Sequence, residues 1–189
     1  MQFKNRSFAN RGMDFEKLVN QANAYYINTG QCAVIKVPTP WKILWKNCNG
    51  YRVPIKAFAE AKSWLDYIGC INGKAITFDA KECKNKTSFP LANIKPHQMQ
   101  ELKTWVENGG RAFILVRFTE HQEIYLLPYA ILMEYYEQSL NGGRKSIPYS
   151  VFEKECFKVA SNRMIYCDWI LAYKEWEVHN ELQKNAYFG

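Results

Sequence analysis

Asn72-Gly73 stands between two short β-prone runs. This dipeptide most readily supplies the left-handed backbone of a type I′ turn, so the stretch 66–81, DYIGCINGKAITFDAK, is constrained to fold back as a hairpin. After the turn the sequence alternates. Ile76, Phe78 and Ala80 fall on one face, and Thr77, Asp79 and Lys81 on the other. A carboxylate and an ammonium therefore share a strand face, about 6–7 Å apart at Cα. Asp66 precedes the first strand, and the hairpin folds it back beside Asp79. Two neighbouring carboxylates repel unless a cation is present. With hard oxygen ligands the expected cation is Mg2+ or Mn2+. An acid, a hairpin, then acid-x-Lys is the minimum kit for metal-dependent phosphodiester cleavage, the lysine assisting an attacking water or the pentavalent phosphate. The plainer reading of Asp79 and Lys81 is an exposed edge strand with a surface ion pair.

Charge narrows the partner. The chain has 189 residues and a net charge of +7, which favours a polyanion, nucleic acid before membrane. A merely soluble basic protein is the bland alternative. At 48% hydrophobic the chain suits one domain with its own core. Cys32, Cys48, Cys70, Cys83, Cys156 and Cys167 form no CxxC pair and no zinc-ligand spacing. They read as scattered buried thiols of a reducing cytoplasm. No signal peptide or long apolar run stands out, so an intracellular, soluble protein is expected.

The order of elements is helix, strands, helix, strand, strand, helices, an α/β sandwich around one mixed sheet. Residues 1–12 read as a short basic arm, followed by a helix over Met13–Ile27. Ala33–Val37 is a short strand. Trp41–Trp45 and Arg52–Phe58 flank a turn at Asn47–Gly50, and this section is aromatic and basic, with Lys42, Lys46, Arg52 and Lys56. It reads equally as a projecting hairpin that touches DNA or as a plain part of the sheet. Glu82–Leu91 is a loop carrying Lys84 and Lys86. Pro96–Val106 is a helix with an apolar stripe of Leu102, Trp105 and Val106. Arg111–Phe118, apolar on both faces, is a central covered strand, partnered by Ile124–Leu127. Tyr129–Leu140 is a helix, and Arg144-Lys145-Ser146 is a compact basic loop. By itself Gln98 reads as a solvent-facing glutamine, Glu16 as a helix-dipole partner and His97 as structural.

Several stretches resemble the RecU-type Holliday-junction resolvases. They run in family order: 10–16 (NRGMDFE), Tyr25-Tyr26, 36–40 (KVPTP), Asp66-Tyr67 with Gly69, 78–82 (FDAKE), 85–91 (NKTSFPL) with Asn93-Ile94, His97-Gln98, and 142–147 (GGRKSI). The resemblance implies a restriction-endonuclease-like PD-(D/E)xK fold, a mixed sheet flanked by helices with a projecting stalk at about 38–58, in a single nuclease domain spanning 13–189. It implies a homodimer that uses Mg2+ or Mn2+ to cut four-way DNA junctions in recombination and repair. It makes Asp66, Asp79 and Gln98 metal-site residues and Lys81 the stabiliser of transition-state charge. It places Arg11 at the junction, with Lys42 and Lys46 on the stalk. Lys84, Lys86, Arg144 and Lys145 complete the expected DNA-binding set.

Three features depart from the family pattern. Asp79 stands where the family usually has Glu. Ser63-Trp64-Leu65-Asp66 replaces a Ser-Thr-Thr-Asp segment, so a metal-binding threonine position holds Trp64. Water or the Ala80 carbonyl takes that place, or metal binding is weaker. The basic N-terminal tail is short. Rival readings are a flap or duplex nuclease of the same fold, and a non-catalytic junction-binding protein with a degraded metal site.

Overall fold

The computed structural model describes residues 14–38, 40–59, 65–162 and 164–188. Arg11, the N-terminal arm and Ser63-Trp64 lie outside the described residues. Helix α1 (Phe15–Asn28) starts where the Asp14 side chain accepts the Glu16 N–H at 3.3 Å. Strand β1 (Ala33–Lys36) follows, then the ribbon of β2 (Trp41–Cys48) and β3 (Tyr51–Ala59). The central hairpin is β4 (Tyr67–Ile71) and β5 (Lys74–Cys83), turned by Asn72 at φ +49° and Gly73 at φ +76°. Positive φ at both central residues is the type I′ geometry read from the sequence.

After β5 come β6 (Ser88–Pro90), α2 (Pro96–Glu107), β7 (Arg111–Phe118) and β8 (Glu123–Pro128). The chain ends with α3 (Tyr129–Leu140), β9 (Ser146–Pro148), α4 (Tyr149–Glu155), β10 (Phe157–Lys158) and α5 (Trp169–Phe188). Six strands form the main sheet in the order β1-β4-β5-β7-β8-β10. β5 and β7 run parallel, joined by α2, and the other pairs are antiparallel. This is the mixed sheet flanked by helices that the sequence implied.

Both faces of the sheet are covered, because β7 carries apolar side chains on each. Phe113 and Leu115 pack with Phe78, Tyr67, Trp169 and the buried face of α1. Ile114 and Val116 pack with Met99 and Leu102 of α2, Leu132 of α3 and Phe152 of α4. Burial of each such large apolar side chain is worth about 1.5–3 kcal/mol. On the first face Phe78 stacks between Tyr67 and Phe113, with ring centroids 4.7 and 4.8 Å away.

Several expectations are corrected. β5 is an inner strand, so Asp79 and Lys81 are not an edge-strand surface pair. Val106 turns partly to solvent, and Gln98, Met99 and Leu102 form the buried side of α2. Cys48 and Cys70 are exposed, not buried, and the described cysteines are all free thiols. The 82–91 loop is not wholly irregular: β6 pairs with β9, Phe89 opposite Ile147.

Candidate active site

The register of the central hairpin sets the site. Tyr67 pairs with Phe78, so one step further along the two chains Asp66 meets Asp79. The two carboxyl groups are within hydrogen-bonding reach. Asp79 is fully buried. Burial pushes its carboxyl well above the usual carboxylate range, and the hydrogen bond with Asp66 pushes the same way. The positive charge of Lys81 draws it partly back.

One oxygen of Asp79 is crowded and the other is bare. Lys81 Nζ lies 2.8 Å from Oδ2, and the Gln98 amide Nε2 donates to that same oxygen. Oδ1 is buried with no hydrogen-bond partner. An orphaned carboxylate oxygen beside a second acid fits a divalent cation by its donor chemistry. Among the described residues no three His, Cys, Asp or Glu side chains cluster as a metal site. A cation here would therefore draw on the acid pair plus amide or carbonyl oxygens.

Gln98 is buried, contrary to the solvent-facing reading of that residue alone. Its Oε1 accepts the Lys95 N–H at 3.1 Å and so satisfies one of the free backbone donors at the start of α2. In this conformation Gln98 touches Asp79 as a donor, while the oxygen a metal would take holds the helix end. Glu16 forms an ion pair with Lys36, a partner the sequence did not identify.

The basic residues fall into two groups. In the β2–β3 ribbon, Leu44 lies opposite Lys56 and Lys46 opposite Val53. The alternation puts Lys42, Lys46 and Lys56 on one face. The other face carries Trp41, Ile43 and Trp45, with the Arg52 guanidinium 5.9 Å from the centre of the Trp45 ring. Both faces are exposed. The second group is assembled by the β6–β9 pair. Leu91 N–H donates to the Lys145 carbonyl at 3.1 Å, and Tyr149 N–H to the Thr87 carbonyl at 2.9 Å. The loop bearing Lys84 and Lys86 is thus tied to the one bearing Arg144 and Lys145, and all four side chains are exposed. Lys86 also lies 3.6 Å from Glu120, a surface pair of little energetic weight.

The hairpin thus brings two acids and a lysine together inside a helix-flanked mixed sheet. The chain belongs to the RecU family: the model of Recombination protein U matches residues 10–175. It is 41% identical over 153 residues to the Holliday junction resolvase RecU of Oceanobacillus iheyensis, covering 80% of this chain and 78% of that one. Against the Holliday junction resolvase RecU of Oenococcus oeni it is 36% identical over 174 residues, covering 91% and 88%. Among solved structures, Archaeoglobus fulgidus Hjc, a Holliday junction resolvase, aligns with 75% of this chain and 92% of its own at 14% identity and a TM-score of 0.41.

Proposed function

We propose that this chain is a structure-selective, metal-dependent endodeoxyribonuclease that resolves four-way (Holliday) DNA junctions in recombination and repair. The observation that carries the reading is Asp79, buried against Asp66 with one oxygen unpartnered, in a chain of the RecU family. Asp66 and Asp79 would hold Mg2+ or Mn2+, with Gln98 beside them. The bound ion supplies Lewis acidity toward the phosphodiester and a water nucleophile near neutral pH.

The protein's own groups do the rest. Gln98 and Lys81 fix Oδ2 and so orient the Asp79 carboxylate with Oδ1 left over. Lys81 places a positive charge at the acid pair, where it offsets negative charge that grows on the phosphate oxygens. Lys42 and Lys46 on the ribbon, and Lys84, Lys86, Arg144 and Lys145 on the joined loops, neutralise backbone phosphates, and Arg11 adds to them. Residues 13–189 act as one nuclease domain with the ribbon as its stalk. A four-way junction has two-fold symmetry, so a homodimer sets one site on each of two opposed strands. No helix among the described residues is long and apolar enough to cross a membrane. A cytoplasmic location is the natural one for this work.

A cleavage assay with synthetic junctions, flaps and plain duplex, in Mg2+ and in Mn2+, tests this. Junctions should be cut in preference, and Asp79→Ala or Asp66→Ala should abolish cleavage while junction binding in Ca2+ persists. Metal-dependent cleavage surviving in either variant overturns the site. Preference for flaps or duplex identifies a different nuclease of the same fold, and binding without cleavage identifies a non-catalytic junction binder.

A further inference from the structure

The turn between β7 and β8, residues 119–122, reaches across to the loop that leaves β5 just past Lys81. At the root of that loop, Thr119 N–H donates to the Cys83 carbonyl at 2.9 Å. Further out, two adjacent turn residues meet Lys86. Glu120 lies 3.6 Å from the Lys86 ammonium, and Nε2 of the His121 ring lies 2.8 Å from the Lys86 carbonyl. A carbonyl only accepts, so Nε2 carries the proton and donates.

The His121 ring is itself held. It stacks on Tyr149, with centroids 4.0 Å apart and planes 11° from parallel, and lies edge to face with Phe118 at 6.2 Å. Tyr149 is fixed at both ends: its N–H donates to the Thr87 carbonyl at 2.9 Å, and its hydroxyl donates to Glu123 Oε2. The carbonyls of Lys86 and Thr87 are thus each taken by one member of a stacked pair. Within the loop, Asn85 Oδ1 accepts the Thr87 N–H at 3.2 Å, and Asn85 Nδ2 donates to Ser88 Oγ at 3.4 Å. Those bonds fix the residues that flank Lys86, and the turn supplies the hold on Lys86 itself. Its side chain is exposed and its pair with Glu120 is weak, so the ammonium stays available to a phosphate. Backbone ordered in advance need not be ordered at the moment of binding.

We infer that His121 is a positioning residue for DNA binding: through the Lys86 carbonyl it holds the loop so that the Lys86 ammonium is presented to a backbone phosphate of the junction. The inference rests on the reading of that loop as part of the DNA-binding surface.

The test compares His121→Phe, which keeps a ring for Tyr149 but has no donor, with His121→Gln, which keeps an N–H donor. Junction binding in Ca2+ is followed across a salt series for both, for Lys86→Ala and for the H121F/K86A double variant. K86A should weaken binding about 5- to 10-fold and flatten the slope of log affinity against log salt by about 0.9, the share of one phosphate. H121F should weaken binding at least about fourfold and flatten the slope in the same sense, and H121Q should return to within about twofold of the parent. The loss in the double variant should stay within about twofold of that in K86A alone, because His121 acts through Lys86. If H121F does not fold, His121→Leu takes its place. Losses that multiply in the double variant overturn the inference, as does parental affinity in H121F or H121Q as weak as H121F. If K86A binds junctions as the parent does, the reading of this loop as a DNA contact fails and the inference with it. If K86A is weakened and H121F is not, the inference fails alone.

Discussion

Two donors, the Lys81 ammonium and the Gln98 amide, converge on Oδ2 of Asp79, and no amide or ammonium donor reaches Oδ1. A buried carboxylate with an unpaired oxygen costs free energy unless a ligand completes it. The half-buried Lys81 stabilises the Asp79 charge in the free protein and faces the same few ångströms where phosphate charge would develop. Its loss should therefore appear in the chemical step. Lys81→Ala is expected to lower the single-turnover rate by about 10²–10³-fold, as loss of a transition-state charge stabiliser does. Junction affinity in Ca2+ should hardly move. A large drop in affinity with an unchanged rate would remove Lys81 from the chemistry.

The hairpin works as an element because its neighbours hold both of its ends. At the turn end, Lys74 of β5 and Arg111 of β7 both bond Glu177 of α5. Burial alone raises the Glu177 carboxyl, but the bonds from Arg111 and Lys74 outweigh it and hold the group below its ordinary value. A carboxyl lowered on folding stabilises above its unfolded pKa, and that stability is lost as pH falls through the folded value. Glu177→Gln should cost about 1–2 kcal/mol at pH 7, the lower part of the range for charged hydrogen bonds because Lys74 is partly exposed. The gap from the parent should close as the pH drops below about 4. Urea denaturation of both proteins at neutral and acid pH measures it.

For the whole molecule, charge and shape act together. A net charge of +7 draws DNA in, but placement decides what it does there. The ribbon separates three lysines from a face of Trp41, Ile43 and Trp45, so one side suits phosphates. Replacing Lys42, Lys46 and Lys56 together by alanine should weaken junction binding. It should also flatten the dependence of log affinity on log salt by roughly 0.9 for each phosphate that a lysine no longer neutralises. A salt titration with the triple variant and the parent checks this. An unchanged slope would mean that this face does not meet the backbone.

What could be read before the fold was known was local. An Asn-Gly turn and a period of two follow from backbone sterics within a few residues, so the hairpin and the shared face of Asp79 and Lys81 were visible. Apolar residues on both faces marked β7 as central for the same reason. Other features depended on distant segments meeting. Ser88–Pro90 and Ser146–Pro148 are too short to announce themselves as strands, and become so by pairing across nearly sixty residues of chain. Gln98 carries an ordinary polar side chain, and its burial comes from α2 packing over β5 between the sheet's two parallel strands. Chemistry within reach of neighbouring residues is written in the chain, whereas burial and the pairing of remote groups are decided when the packed core brings them together.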